Sequence, residues 1–546
     1  MKRRTTLEIL LGVSNSKKDT IFSLTNSFEP FTGTWDFSTA AHLLRRTTFG
    51  PTKAEINLAV EEGLDATIER LFGPTPEIDP PVYYDFENDP LVALGETWIH
   101  TLPPTVSGVS GARRRSFLAW RFKSMRDTRL HIIEKLSLFW HNHFVVANSS
   151  VPRQMYTYQE TIRRNALGNF KTFVEEITID SSMLVYLNGT QNRENGPNEN
   201  YARELLELFT LGKGPTVAPG DYTYYTEEDI IQVARALTGW RHTSPITDGF
   251  DPTISRFLEN LHDEGEKLLS PRFDSQIITN EGENEYKRVI EIIFQKPQAA
   301  NFICEKLYRW FVHPEISPEA EVNVIAPMTQ MMIDNNYEIK EVLKTLLSSQ
   351  EFYAPNIRGC MIAHPIDHLF KVISTLEVPF SSDFTIDFKI LNIYQNLMIE
   401  HEMAIHLHPN VAGWKPFYQT PQLDKLWISS VSLGLRQTFI QSILDGFNRE
   451  GFRTEIDVLA LTASLENPED PNDLIEELGN LIFVQPLNEE QITVLKERLV
   501  QGLPDFEWTV EYGAYIEGDL SLEDAVKSKL KSLFGTMLNM PEFHFI

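Results

Sequence analysis

Apolar residues recur every three or four positions along most of the chain, and this spacing limits the fold more than any other feature. In residues 53–71, for example, Ile56, Ala59, Leu64 and Ile68 follow this pattern, and we expect the helix to start at Thr52. Such spacing places the apolar side chains on one face of a helix. The helix before this segment is expected to have its cap at Ser38 or Thr39. Proline and glycine interrupt the pattern at intervals, and alternation of the strand type is rare. The sequence therefore predicts an all-α protein, a large multi-helix domain with long irregular loops.

The length of the chain bears on its division into domains. Its 546 residues are more than one hydrophobic core usually organises. We expect a flexible N-terminal extension over residues 1–34 and a main helical domain over residues 35–430. We expect residues 431–546 to form a C-terminal helical subdomain that packs closely against the main domain.

The charge balance argues against nucleic acid as a partner. The chain has 76 acidic and 49 basic residues, and its formal net charge is -27. This field repels phosphate backbones and anionic lipid surfaces. The basic stretch from Arg113 to Arg129 is the exception, and we expect its arginines to pair with acidic residues of the same chain.

Targeting signals are weak. The first residues carry Arg3 and Arg4, as in an export signal, but the apolar stretch Leu7–Val13 is short and is interrupted by Glu8. No apolar run approaches the roughly 18 residues of a membrane span. The sequence predicts no transmembrane segment and a cytoplasmic location by default. A periplasmic or envelope-associated location is the alternative.

The stretch PNENYARELLELFTLG, residues 197–212, predicts a capped helix with a polar start. Glu199, Arg203 and Glu204 gather at this start, beside a polar loop. Arg203 and Glu207 are four residues apart, so they can pair across one turn. Two interpretations stay open, a salt-bridged helix end and the lining of a site.

A second helix is predicted in TEEDIIQVARALTGW, residues 226–240, with Thr226 as its cap. Its apolar stripe leaves Arg235 to one side. We expect Arg235 to pair with Glu204 or Glu207. A buried arginine–carboxylate pair with a structural role is the other interpretation.

The segment from Phe117 to Phe144 is apolar on nearly all sides, so we expect it to lie at the centre of the fold. It ends in the motif FWHNHF, residues 139–144, which places two histidines one residue apart. On a continuous helix His141 and His143 would point about 200° apart and could not share one ion. If the helix ends near Trp140, an extended His-x-His turns both rings to the same side, which suits a metal. Hydrogen bonding at a helix end and a catalytic role without metal are the alternatives.

Other segments offer further ligands. LHDEGEK, residues 261–267, supplies His262 and Asp263 from a long loop, and Glu199 comes from the predicted helix start. Imidazoles with carboxylates suit zinc, iron or manganese. The predicted metal ligands are His141, His143, His262 and Glu199.

Several common catalytic motifs are missing from the sequence. The histidines of HEMAIH, residues 401–406, are five apart, whereas a zinc pair on one helical face needs a spacing of four. The chain has no phosphate-binding Gly-Lys-Ser loop and no Gly-x-Ser-x-Gly elbow. The sequence therefore gives no support to common nucleotide and serine-hydrolase chemistries.

Several motifs together resemble the bacterial domain-of-unknown-function 1800 family, in the same order and over nearly the whole chain from Trp35. They are AAHLLRRTTFGPT, FWHNHF, NENYARELLELFTLG, YTEEDIIQVARALTGW, HDEGEK, FICEKLYRWFV, HPNVAGW and LFGTMLNMPEFHFI. The resemblance implies a large, mainly helical bacterial protein with no settled activity. It also implies a sulfatase-like protein of the 1501 unknown-function family as a genomic neighbour, and export signals in many relatives. This chain departs from the family after HPNVAGW, where KPFYQTPQLDKLW replaces a glycine-rich turn.

The residues support a hypothesis of a metal-assisted hydrolase or oxidoreductase with a polar pocket between helices. The histidines would bind a divalent metal (zinc, iron or manganese), and the sequence identifies no cofactor beyond this. Glu204 or Asp263 would act as the base, and Arg203 or Arg235 would stabilise developing negative charge. The alternative is a noncatalytic envelope or assembly protein that binds the sulfatase-like neighbour through exposed aromatic residues such as those of GWKPFY, residues 413–418.

Overall fold

The fold is mainly helical, as the sequence predicts. A computed structural model describes residues 27–84, 89–101, 106–147, 149, 151–242 and 253–546. Residues 1–26 of the expected N-terminal extension lie outside the described residues. The division into a main domain and a C-terminal subdomain stays a prediction, while one hydrophobic cluster extends from Ala40 to Phe543.

Short helices make up most of the first half of the described chain. They are α1 (Phe37–Thr47), α2 (Lys53–Glu62), α3 (Leu64–Leu71), α4 (Val109–Asp127), α5 (Ile133–His143), α6 (Pro152–Asn165), α7 (Phe170–Thr178), α8 (Ser181–Tyr186), α9 (Glu199–Glu204) and α10 (Glu227–Ala236). Helix α9 continues directly into a π-helix, Leu205–Thr210.

The second half is also helical. Its helices are α11 (Glu285–Phe294), α12 (Pro297–Phe311), α13 (Pro318–Ala320), α14 (Ala326–Asp334), α15 (Ile339–Leu347), α16 (Pro365–Ile373), α17 (Phe384–Glu400), α18 (Ser430–Asp445), α19 (Val458–Ala463), α20 (Pro471–Ile482), α21 (Glu489–Val500), α22 (Phe506–Ile516) and α23 (Glu523–Leu538). A π-helical turn, Glu321–Ile325, joins α13 to α14.

The strands of the described chain are short and form two-stranded antiparallel sheets. The pairs are β1 (Thr216–Ala218) with β2 (Asp221–Tyr222), β3 (Trp240–His242) with β4 (Ser255–Phe257), β5 (Lys267–Leu268) with β6 (Ile277–Ile278), and β7 (Phe447–Arg449) with β8 (Phe452–Thr454). Three of these hairpins lie between α9 and α12, where the sequence has long loops.

The cap of helix α2 agrees with the sequence prediction, and the cap of helix α1 differs from it. Helix α1 is capped by Asp36, whose carboxylate accepts from the backbone of Thr39, so the expected cap at Ser38 or Thr39 is wrong. A capping box fixes the start of α2 at Thr52, as predicted. The continuous helix expected over residues 53–71 breaks at Gly63, whose φ of 84° is outside the helical range.

Helix α5 lies at the centre of the fold. Every residue of α5 except Asn142 is buried. The preceding basic stretch pairs with acidic residues of the same chain, as predicted, because Arg121 Nη1 lies 2.9 Å from Glu134 Oε2 and Arg126 Nη1 lies 2.6 Å from Asp387 Oδ1.

Among the residues described, there is no helix with the length and apolar character that a bilayer crossing requires.

Candidate functional site

His141 holds the segment that follows α17. The backbone N–H of His406 donates to His141 Nε2 at 3.2 Å, which leaves the proton of the neutral ring on Nδ1. That N–H donates to the Tyr158 hydroxyl at 3.2 Å, and Tyr158 in turn donates to the carbonyl of Phe144. Burial, followed by the nearby His406 ring, lowers the pKa of His141 well below its ordinary value. Both of its nitrogens are therefore occupied.

Asn142 holds the HPNVAGW segment. Its side-chain oxygen accepts a hydrogen bond of 2.8 Å from the backbone of Trp414. A Cβ at Gly413 would lie 2.3 Å from that oxygen, and the φ of Gly413 is 92°. A glycine is needed at this position because both the close approach and the backbone angle exclude a side chain.

His143 connects α5 to Lys306 of α12 and to the end of the π-helix. Lys306 Nζ lies 3.1 Å from His143 Nδ1, and a lysine can only donate to it. His143 Nε2–H therefore donates to the carbonyl of Phe209 at 3.1 Å. Lys306 also donates to the carbonyl of Leu208 at 3.0 Å. The final carbonyls of a helix attract cations, and single π-helical turns occur often at functional sites.

The side chain of Lys306 is half-buried. Within the described ranges no acidic side chain forms an ion pair with it, and burial lowers its pKa to about 7. Its ammonium group lies 4.6 Å from the ring centre of Phe302. Burial, followed by the charge of Lys306, holds the pKa of His143 well below its ordinary value. An amine that loses its proton near neutral pH can serve as a base.

Lys306 and His143 line a cavity of about 50 Å³, which we call the Lys306 cavity. Asn142, Arg309 and Trp310 also line it, as does Tyr418, whose side chain is 39% exposed. The exposure of Tyr418 places the outer rim of the cavity at the protein surface.

A second cavity, of about 20 Å³, lies beside the first, and we call it the His364 cavity. Arg309, Trp310 and Phe417 line both cavities. The rings of Trp310 and Phe417 stack with their centres 4.4 Å apart, and they form the shared wall. The polar lining of the His364 cavity includes Arg46, Lys135, His364 and Asp367.

The predicted helix start around Arg203 forms ion pairs away from these cavities. Arg203 Nη2 lies 2.7 Å from Glu227 Oε2 and 3.3 Å from Glu199 Oε2. The expected pair of Arg203 with Glu207 is wrong, because Glu207 accepts from the Tyr225 hydroxyl at 2.9 Å. These contacts match the salt-bridged helix end that the sequence allowed.

Glu204, the first predicted base, lies on the last turn of α9. Burial, followed by the neighbouring carboxylate of Glu207, raises its pKa to about 7. Its role as a base stays a prediction.

Arg235 and Asp263 bind each other. Arg235 Nε lies 2.7 Å from Asp263 Oδ2, and Arg235 also donates to the side-chain oxygen of Gln232 at 2.6 Å. The expected partners of Arg235, Glu204 and Glu207, are therefore wrong. The catalytic roles of Arg235 and Asp263 stay predictions.

His262 belongs to a buried charge network. Its Nε2 lies 3.0 Å from Glu285 Oε2, and Lys267 Nζ lies 2.5 Å from Glu285 Oε1. Burial by itself would lower the pKa of His262, but the hydrogen bond to Glu285 raises it overall. Neither Lys267 nor the carboxylate of Glu285 has exposed surface.

The partners of the predicted ligands do not support a metal site made of His141, His143, His262 and Glu199. Helix α5 continues through His143, so its two rings diverge. The part of the chain that the structure describes contains no group of three or more His, Cys, Asp or Glu that could hold a metal ion. The four-ligand site stays a prediction without structural support.

The structure brings FWHNHF together with three other recognised motifs, HPNVAGW through Asn142, FICEKLYRWFV through Lys306, and NENYARELLELFTLG. FWHNHF meets NENYARELLELFTLG through His143 and Phe209, at the far end of that helix from the polar start. Sequence reasoning missed Lys306, His364 and Asp367. A lysine within the aromatic helix FICEKLYRWFV was the one available signal, because a cation among large apolar side chains usually has a special role.

Most of the aromatic rings of GWKPFY are covered by the rest of the chain. Trp414 is buried, and Phe417 packs on Trp310, which leaves Tyr418 as the exposed ring of the segment. Binding of a sulfatase-like protein stays a prediction.

Comparison with known proteins places the chain in a family without assigning a reaction. No curated protein and no solved structure matches it significantly. A family model described as "Protein of unknown function (DUF1800)" matches residues 42–545, nearly the whole chain. The protein therefore belongs to the DUF1800 family.

Proposed function

We propose that this protein is a hydrolase in which Lys306 acts as the general base. The observation that carries the proposal is the position of Lys306 in a cavity, 3.1 Å from His143 and without an acidic partner among the described residues. An ammonium group in such surroundings loses its proton more readily than one in water.

The hydrogen bonds around Lys306 suit the neutral amine. Its two N–H groups can donate to the Leu208 carbonyl and to His143 Nδ1, at 3.0 and 3.1 Å. The lone pair then stays free to take a proton from a water molecule in the cavity. A base with a pKa near the working pH is the most effective kind.

Arg309 and Asn142 are the groups that would stabilise negative charge in the proposed reaction. Arg309 Nη1 donates to the carbonyl of Pro314 at 2.9 Å, and the rest of its guanidinium group has no hydrogen bond to a described residue. This cation and the amide of Asn142 can stabilise the negative charge that develops when water attacks an ester. The protonated Lys306 can then return its proton to the alcohol that leaves as the ester C–O bond breaks. We therefore propose small esters as the substrate class.

A metal-assisted form of the reaction has less support. His406 Nε2 and both nitrogens of His408 are buried without a hydrogen-bond partner in the described chain. Their rings lie 4.3 and 4.6 Å from the ring of His141, whose own nitrogens are both occupied. Two imidazoles are fewer than the three protein ligands typical of catalytic zinc.

A panel of p-nitrophenyl esters of acetate, phosphate and sulfate tests the proposal. Wild type should hydrolyse at least one of them, and Lys306→Met should lose about 100-fold or more in kcat/KM, because general base catalysis is worth about that much. Lys306→Arg should be equally inactive, since a guanidinium group keeps its proton.

Lys425→Met is the matched control, because this lysine is largely exposed. It should retain full activity. Assays with EDTA, and after resupply of zinc, iron(II) or manganese, separate the metal-free from the metal-assisted reaction. Failure to hydrolyse any ester, or full activity of Lys306→Met, would overturn the proposal.

A further inference from the structure

The His364 cavity contains buried polar atoms with no hydrogen-bond partner among the described residues. His364 Nε2 and Asp367 Oδ2 lie 3.0 Å apart, yet their relative orientation does not form a hydrogen bond. Both side chains are more than nine-tenths buried. Unsatisfied buried polar groups are rare, and each such group points to a missing partner.

Neighbouring contacts decide which of these atoms donates. The backbone N–H of Asp367 donates to His364 Nδ1 at 3.1 Å, so the proton of the neutral ring is on Nε2. Burial lowers the pKa of His364 to about 3, which keeps the ring neutral. Asp367 Oδ1 is paired with Lys135, and Oδ2 is left as an acceptor. The cavity wall thus presents one donor and one acceptor side by side.

The remaining walls are largely aromatic and apolar. Trp310, Phe417 and Trp427 line the cavity, together with Met361 and Leu423. The indole N–H of Trp310 is a further buried donor without a partner in the described residues. Planar walls of this kind suit a flat organic group better than an isolated water molecule.

We propose that the His364 cavity binds the carboxamide end of an organic ligand. A carboxamide is flat and presents a carbonyl oxygen next to an N–H group. The oxygen can accept from His364 Nε2 and from the Trp310 indole, and the N–H can donate to Asp367 Oδ2. No charge is introduced, so the existing pair of Asp367 with Lys135 is kept.

The cavity volume of about 20 Å³ has room for the end of a ligand and not for a whole molecule. Arg309, Trp310 and Phe417 also line the Lys306 cavity, so the rest of the ligand would lie near the proposed base. This last step rests on the proposed function. In an enzyme with Lys306 as its base, the His364 cavity selects substrates that carry a carboxamide.

Saturation-transfer NMR with propanamide and butanone tests the binding claim. Butanone has nearly the same shape as propanamide but lacks the N–H donor. Propanamide should bind about fivefold more tightly or better, the effect of about one hydrogen bond. In His364→Asn both ligands should bind more weakly, because the carbonyl oxygen of each loses the Nε2–H donor, while the asparagine still caps helix α16.

Asp424→Asn is the control for His364→Asn, because Asp424 lines the same cavity and accepts from the backbone of Ile362 at 2.9 Å. It should bind propanamide and butanone as tightly as the wild type does. Lys306→Met should bind propanamide normally, so loss of ester hydrolysis in that variant bears on the proposed function alone.

A crystal soaked in propanamide gives a second readout that does not depend on a variant. Density for the amide between His364 and Asp367 would support the inference. Only a water at that position, equal binding of butanone by wild type, or unchanged binding of both ligands by His364→Asn would overturn it.

Discussion

Two polar regions of this molecule differ in whether their charged and polar side chains have partners. Arg203, Arg235 and His262 each have a partner of opposite charge, at 2.7 to 3.0 Å. Around Lys306 and His364, charged and polar groups line cavities, and several of their atoms have no partner in the described chain.

The difference separates groups that stabilise the fold from groups available to a ligand. A buried pair satisfies both of its members, and nothing is left over for a ligand. An unpaired buried group lowers stability, so it persists where it has another use. The region with fewer ion pairs is therefore the better functional candidate, although it contains fewer of the predicted residues.

The largest effect on stability should come from breaking the buried network of His262, Lys267 and Glu285. Glu285→Ala leaves Lys267 and His262 buried without their carboxylate, and this should cost about 3–5 kcal/mol in the free energy of unfolding. Urea titration followed by circular dichroism measures the loss. Glu283→Ala, at an exposed position two residues earlier, is the control and should change stability little. A cost below about 1 kcal/mol for Glu285→Ala would contradict the comparison.

Around Lys306 we expect a substitution to raise the free energy of unfolding instead of lowering it. Lys306→Met should raise the free energy of unfolding at pH 7 by about 1 kcal/mol or more, because it removes a poorly solvated charge. The pKa of Lys306 falls from 10.5 in the unfolded chain to about 7 in the fold. Between these values the unfolded state binds more protons, so wild type gains stability as the pH rises.

The advantage of Lys306→Met should therefore be full below about pH 7 and shrink towards about pH 10. Urea titrations of both proteins across this range measure it, with Lys425→Met as the control for a change of surface charge. An advantage that does not depend on pH would mean that the ammonium group is well solvated in the folded protein.

The smallest effect is expected at the surface pairs. The side chain of Arg203 is 33% exposed, so Arg203→Gln should cost no more than about 1 kcal/mol. It should also leave ester hydrolysis unchanged. Loss of ester hydrolysis in Arg203→Gln, measured on the same ester panel, would indicate that the functional site lies at the start of helix α9.

The sequence predicted most of the local structure. Helix caps at Thr52 and Thr226 occur where expected, because a capping box depends on residues three positions apart. The burial of α5 followed from apolar residues on nearly all of its faces. The cap of α1 was missed because Ser38 and Thr39 are as good candidates as Asp36 when side-chain direction is unknown.

Partners were predicted less well than helices. Arg203 was expected to pair within its own helix, and its shortest ion pair joins it to Glu227 of α10. Arg235 was assigned to the wrong helix, while its true partner, Asp263, was singled out for a different role. Spacing along a helix fixes which residues share a face, and it does not fix what lies opposite that face.

The sequence by itself determined the helical class, the central position of FWHNHF and the membership of the family, because these depend on periodicity and on the order of motifs. The tertiary structure decided what the motif does. Its three polar residues hold segments that are 66 to 272 residues away along the chain, and such contacts depend on how whole helices pack. Lys306 became a candidate base only because helix packing placed it beside His143 and gave it no ion pair with a described carboxylate.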